Sequence, residues 1–147
     1  MIPAYTNEGL LPAGVHWAES LAEIEEHFGV NGHRLRLFVG FSRGCNLLQA
    51  VGCREVFLDG SFTTVKETPK DFDACWETDG VDFKSLDPIF LDHANLRAAQ
   101  KVRFFGEFLP VTMGRAPARI YRETFDLFQR DKQTGKSKGI VGLRLQN

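Results

Sequence analysis

The sequence predicts an α+β domain, a small sheet accompanied by helices, and three observations carry that expectation. The segment Ser20-Leu-Ala-Glu23 has the hydroxyl and carboxylate spacing of a helix start, and an apolar stripe runs from residue 34 to 51. Short apolar or alternating runs at 55–59, 71–77, 107–112 and 139–145 read as strands punctuated by Gly and Pro. The chain has 147 residues, which suits one domain with a real core and leaves little room for a second.

Taken in order, residues 1–19 contain Pro3, Gly9, Pro12 and Gly14 and read as an extended N-terminal arm, with a single domain over 20–147. Ser20 caps a short helix that stops near Gly29. A second helix covers about Arg34 to Val51, with Leu35, Phe38, Cys45 and Leu48 near one stripe. Leu37, Phe41 and Val51 widen that stripe, and Gly52 is placed to end the helix. Glu55–Asp59 is a strand closed by a Gly60-Ser61 turn, and Thr63–Lys70, polar and containing Pro69, is a loop. From Asp71 to Glu77 the chain alternates, with Phe72, Ala74 and Trp76 on one face and Asp71, Asp73 and Cys75 on the other.

Ser85–Phe105 reads as helix with an interruption around Asp92–Asn95 and an apolar stripe of Ala98, Val102 and Phe105, ended by Gly106. Glu107–Thr112 is a strand that Pro110 assigns to a sheet edge or a bulge. A linker rich in Gly, Pro and Ala leads to Ile120–Phe128, helical with a strand as the alternative. The basic turn KQTGKSKG precedes a last strand, GIVGLRL.

Composition narrows the function classes. The chain is 43% hydrophobic and 25% charged with 13 Phe, the profile of a globular protein. Its net charge of −1 recruits neither nucleic acid nor an anionic membrane globally. No run approaches the roughly 20 apolar residues of a membrane span, and the start lacks a basic segment before an apolar one. The expectation is a cytoplasmic protein with no membrane partner. Cys45, Cys53 and Cys75 lack metal or disulfide spacing and read as buried free thiols; His16, His27, His33 and His93 are scattered without ligand spacing.

The chemistry concentrates at residues 58–76. On a strand, residues i and i+2 share a face with Cα atoms roughly 6–7 Å apart, so Asp71 and Asp73 project together while Phe72 anchors the strand behind them. Carboxylates that close repel unless a cation or proton intervenes, and hard oxygens at this spacing suit Mg²⁺. Gly60 lets backbone approach a phosphate without a Cβ in the way, and Ser61 adds a hydroxyl donor. An amide cradle beside a metal site is what phosphoryl or nucleotidyl transfer needs. Gly135-Lys136-Ser137 fails as a P-loop because Arg130 stands where the first glycine belongs, and Lys132, Lys136 and Lys138 read as a solvated turn. Asp71-Phe72-Asp73 also fails the phosphatase pattern of haloacid dehalogenases, since a polar TPK precedes it and Cys75 occupies the fifth position.

An apolar strand, Gly-Ser, nine residues and then Asp-Phe-Asp resembles the signature of the DNA-polymerase-β-type nucleotidyltransferase superfamily. More loosely, "GLLPAGVH", "LDGSF", "DFDACW" and "KGIVGL" together resemble a family of small prokaryotic proteins assigned to that superfamily. The resemblance implies a mixed sheet flanked by helices, two Mg²⁺ ions and attack on the α-phosphate of a nucleoside triphosphate such as ATP. It implies that Gly60 and Ser61 hold the triphosphate and that Asp71 and Asp73 ligate metal. A third carboxylate activates the acceptor hydroxyl in many members; Glu107 is the choice here, with Asp126 in reserve. Arg97 and Lys101 are placed either to meet phosphate oxygens or to form a solvated face.

The function expected from the resemblance is transfer of a nucleoside monophosphate to a hydroxyl of a protein, RNA or small molecule. A partner protein or a second copy of the chain presents the acceptor, in the manner of small toxin–antitoxin or defence members. The alternative is a catalytically inactive nucleotide-binding or interaction protein with the same fold.

Overall fold

The computed structural model describes residues 1–111, 129–130, 135 and 137–146. Five strands form one mixed sheet in the order β1-β5-β2-β3-β4. They are β1 (Gly14–Ala18), β2 (Glu55–Asp59), β3 (Phe72–Glu77), β4 (Gly106–Val111) and β5 (Gly139–Arg144). β1 runs parallel to β5, β5 antiparallel to β2, β2 antiparallel to β3, and β3 parallel to β4. Helices α1 (Leu21–Phe28), α2 (Gly32–Ala50) and α3 (Ala94–Phe104) complete the α+β arrangement, with 3₁₀ turns at Ser61–Thr63 and Pro88–Leu91.

Period-two alternation sorts the strand side chains. Val56, Leu58, Phe72, Ala74, Trp76 and Phe108 join α1 and α2 residues in the main core. Phe57, Cys75, Val111 and Ile140 form a second buried cluster with Val15 and Trp17 packed on it. The main core is strongly aromatic: Phe108 meets Phe41, Phe72, Phe90 and Phe104 with ring centroids 5.3–6.0 Å apart. α2 approaches this cluster closely because two of its residues lack side chains. A Cβ at Gly40 would lie 1.7 Å from the Phe104 carbonyl oxygen, and one at Gly44 would lie 2.2 Å from the Phe108 ring.

Several expectations need correction. The N-terminal arm is extended, but it supplies edge strand β1 and buries Ile2 and Leu11 in the core. The Ser20 hydroxyl accepts from the Glu23 amide at 3.2 Å, as a capping box requires. The Glu23 carboxylate does not reach back to Ser20; it accepts from the amides of Glu19 and Ile2 instead, tying the arm to α1. On α2, Leu35 lies outside the buried stripe, which consists of Leu37, Phe38, Phe41, Cys45 and Leu48 with Gly40 and Gly44 between them. Asp71 precedes β3 rather than opening it.

The long helix expected over 85–105 is a 3₁₀ turn followed by α3. The interruption falls at Asn95, Leu96 and Arg97, all left-handed with φ of 52°, 55° and 62°. α3 buries Gln100 and Phe104, while Val102 and Phe105 face outward. Phe105, at φ 64°, is the residue that ends α3, and Gly106 already belongs to β4. Among the described strands β4 is an edge, and Pro110 lies on it, as its missing amide favours. The linker after Val111, the segment Ile120–Phe128 and most of the basic turn lie outside the described residues. No described helix is long and apolar enough to cross a membrane.

Candidate functional site

The site forms where β2, β3 and β4 end side by side. β2 carries Asp59 out to the turn, and Gly60 takes φ 84°, ψ −167°, a conformation open essentially to glycine alone. That turn brings residue 60 against β3, so that a Cβ there would lie 2.5 Å from Oδ2 of Asp73. Asp59 is the register partner of Asp73 in the antiparallel pair, and Asp73 is the register partner of Glu107 in the parallel pair. Three carboxylate residues therefore stand in one row across adjacent strands, with Asp71 two residues upstream of the central one. Register partners have Cβ atoms roughly 4.5–5.5 Å apart, and like charges at that spacing oppose folding unless cations offset them.

Cations do so at both ends of the row. Lys138 Nζ lies 3.0 Å from Oδ1 of Asp59, with both side chains at least nine-tenths buried. Glu107 lies 3.1 Å from Lys101 Nζ and 3.5 Å from Arg97 Nε. The Arg97 contact is an ion pair only, since its buried Nε makes no hydrogen bond. The left-handed residues 95–97 place Arg97 for that contact, and Gln100 fixes α3 to β4 by accepting from the Phe108 amide at 2.7 Å. The field of the row is felt by Cys75: burial pushes its thiol pKa well up, and the negative charges of Asp59 and Asp73 push it further.

The structure thus brings Gly60, Asp73 and Glu107 together, with Ser61 next in the chain and Asp71 just before the strand. Lys101 meets Glu107 rather than standing apart from it. Asp126 lies outside the described residues. Sequence reasoning missed Asp59, although its position at the end of an apolar strand directly before Gly60 was a usable signal. It also read Lys138 as part of a solvated turn, whereas the residue is 8% exposed and ion-paired. No spacing rule reveals that pairing, because the two residues meet only through the β2–β5 register.

Among the described residues no group of three or more His, Cys, Asp or Glu is placed to hold a metal ion. The donor chemistry around Asp73 still fits a hard divalent cation held by one or two carboxylates and completed by water or phosphate. With no Cβ at residue 60, the backbone of the turn approaches Oδ2 of Asp73 directly.

An α+β domain with a mixed five-stranded sheet and a carboxylate row beside a glycine turn is the class that fold and site define. The chain belongs to the DUF6932 family, a family of unknown function, matched over residues 3–144. No curated protein and no solved structure matches it.

Proposed function

We propose that this protein is a minimal, Mg²⁺-dependent nucleotidyltransferase, and that its mixed sheet is a nucleotidyltransferase-like one. It moves a nucleoside monophosphate from a nucleoside triphosphate to a hydroxyl of a protein, RNA or small-molecule acceptor. The hydroxyl oxygen bonds to the α-phosphorus as the α–β anhydride bond breaks and pyrophosphate leaves. The observation that carries this reading is the contact between the bare Gly60 position and the Asp73 carboxylate, with Glu107 in register beside it. A phosphate-holding turn, a metal-binding carboxylate and a candidate proton acceptor are the parts that nucleotidyl transfer requires.

In this reading Gly60 and Ser61 hold the triphosphate tail and Asp71 and Asp73 bind Mg²⁺. The metal supplies neutralisation of charge developing on the phosphoryl oxygens. Glu107 accepts the proton of the attacking hydroxyl once its carboxylate is released from Lys101. Lys101, freed in the same movement, turns to phosphate. A partner protein or second copy of the chain brings the acceptor.

One observation favours a second reading, a silent nucleotide-binding module. Glu107 is neutralised by two cations, and no three-carboxylate group is assembled among the described residues. Incubation with labelled nucleoside triphosphates, Mg²⁺ and cell extract separates the two. The transferase yields labelled product that disappears in Asp73→Ala. Saturable nucleotide binding without labelled product identifies the silent module, and absence of nucleotide binding overturns both.

A further inference from the structure

The twelve residues between β2 and β3 contain one short 3₁₀ turn and no other regular structure, yet their carbonyls are systematically occupied. Besides Tyr5 on the Thr64 carbonyl and the loop's own Thr63 and Thr64, the occupants come from the N-cap and first turn of α2. Arg34 Nη1 donates to the carbonyls of Phe62 at 2.7 Å and Phe28 at 3.1 Å. Its Nη2 donates to Thr64 and Lys66, each at 2.6 Å, and to Ser61 at 3.4 Å, and its Nε donates to Lys66 at 3.0 Å. Asn31 holds the Glu67 carbonyl at 2.9 Å, and His33 contacts that of Pro69. Arg34 is 2% exposed, and its guanidinium sits 5.2 Å over the Phe62 ring.

We propose that Arg34 is the positioning residue of the nucleotide site, setting the geometry of Ser61–Lys66 so that the turn and the Asp71–Asp73 pair keep their spacing. This rests on the nucleotide reading above. A loop of this length fixed only by its own backbone would sample many conformations, and ordering it at the moment of binding would weaken affinity. Five guanidinium N–H groups in a rigid fork are suited to gather several carbonyls at once; a lysine ammonium has three donors and no plane. All six Arg34 contacts are with carbonyls and none with a carboxylate. The guanidinium thus gathers the carbonyls of the segment that follows Gly60, where the reading above puts the polyphosphate tail.

The test compares wild type with Arg34→Lys, which keeps the charge and loses the fork. The probe is the Mg²⁺ complex of the α,β-methylene analogue of each nucleoside triphosphate, with calorimetry for affinity and hydrogen exchange for the loop. The expected result is faster exchange across 61–66, unchanged exchange across 37–48, and affinity weakened about tenfold. Faster exchange with affinity within about twofold of wild type would mean that Arg34 only supports the fold, and overturns the proposal. Failure of wild type to bind any analogue overturns the nucleotide reading itself, and this proposal with it. Should Arg34→Lys not fold, wild type alone decides: binding must slow exchange at 61–66, and protection confined to other segments sinks the idea.

Discussion

Asp73 leaves no room for a side chain at residue 60: a Cβ on Gly60 would come within 2.5 Å of its Oδ2. The contact joins two constraints in one residue, because Gly60 also occupies a backbone region that side chains rarely adopt. Gly60→Ala must therefore distort the turn and push the Asp73 carboxylate aside. The expected cost is about 1–3 kcal/mol of stability, read from urea unfolding midpoints. Mn²⁺ affinity measured by electron paramagnetic resonance should fall at least as far as in Asp73→Asn. A Gly60→Ala protein that keeps wild-type stability and metal affinity contradicts the geometry on which the site is built.

Lys138 and Asp59 form the most enclosed ion pair among the described residues, and removing Lys138 takes a buried cation from beside that carboxylate. Lys138→Met should destabilise the protein by up to about 3–5 kcal/mol, the usual range for breaking a buried ion pair. Asp59→Asn in the same background removes the carboxylate's charge and should recover much of the loss, a coupling that a double-mutant cycle measures directly. If the two substitutions add independently, the pair does not hold β5 to the end of β2.

Much of this arrangement was legible in the sequence where local rules act alone. The Ser20 hydroxyl cap, most of the α2 core and the alternation from Phe72 to Trp76 each depend on neighbours within a few residues, and these stand where expected, while Leu35 and Asp71 do not. The Gly60–Asp73 adjacency was inferable because a turn between adjacent strands constrains both. What escaped is set by distant segments. α1 receives Glu23's second hydrogen bond from Ile2, β1 exists only through β5, and Lys138 is buried only because β5 enters the sheet beside β2. At α3 the break expected near Asn95 extends through three left-handed residues, 95–97; Asn favours that region, but Leu and Arg do not advertise it.

The three cysteines give a prediction independent of any function. All are buried. Burial drives the thiol of Cys53 up to about 12, and raises those of Cys45 and Cys75 well above their ordinary value. Since the thiolate is the reactive species, none should react with a disulfide reagent at pH 8 in the folded state. Guanidinium chloride should release all three at once. A single thiol that titrates rapidly in native buffer would show that its packing is looser than described.

Asp87 supplies a test of acid stability. The Ile89 amide at 3.0 Å and the Arg103 guanidinium at 2.7 Å hold its carboxyl below the ordinary value of 3.8, outweighing a smaller opposing effect of burial. The folded protein thus binds this proton less readily than the unfolded chain. The stabilisation is complete above the unfolded value and is lost as pH falls through the lower, folded one. Asp87→Asn keeps an oxygen for the Ile89 amide that caps the 3₁₀ turn but removes the charge facing Arg103. Its melting temperature should fall below that of wild type at neutral pH. The gap should close as pH falls from the ordinary value of 3.8 through the lower, folded one, as wild type loses the same charge by protonation. A gap that stays constant across that range would mean that the carboxylate's charge contributes nothing and that Arg103 is held by other contacts.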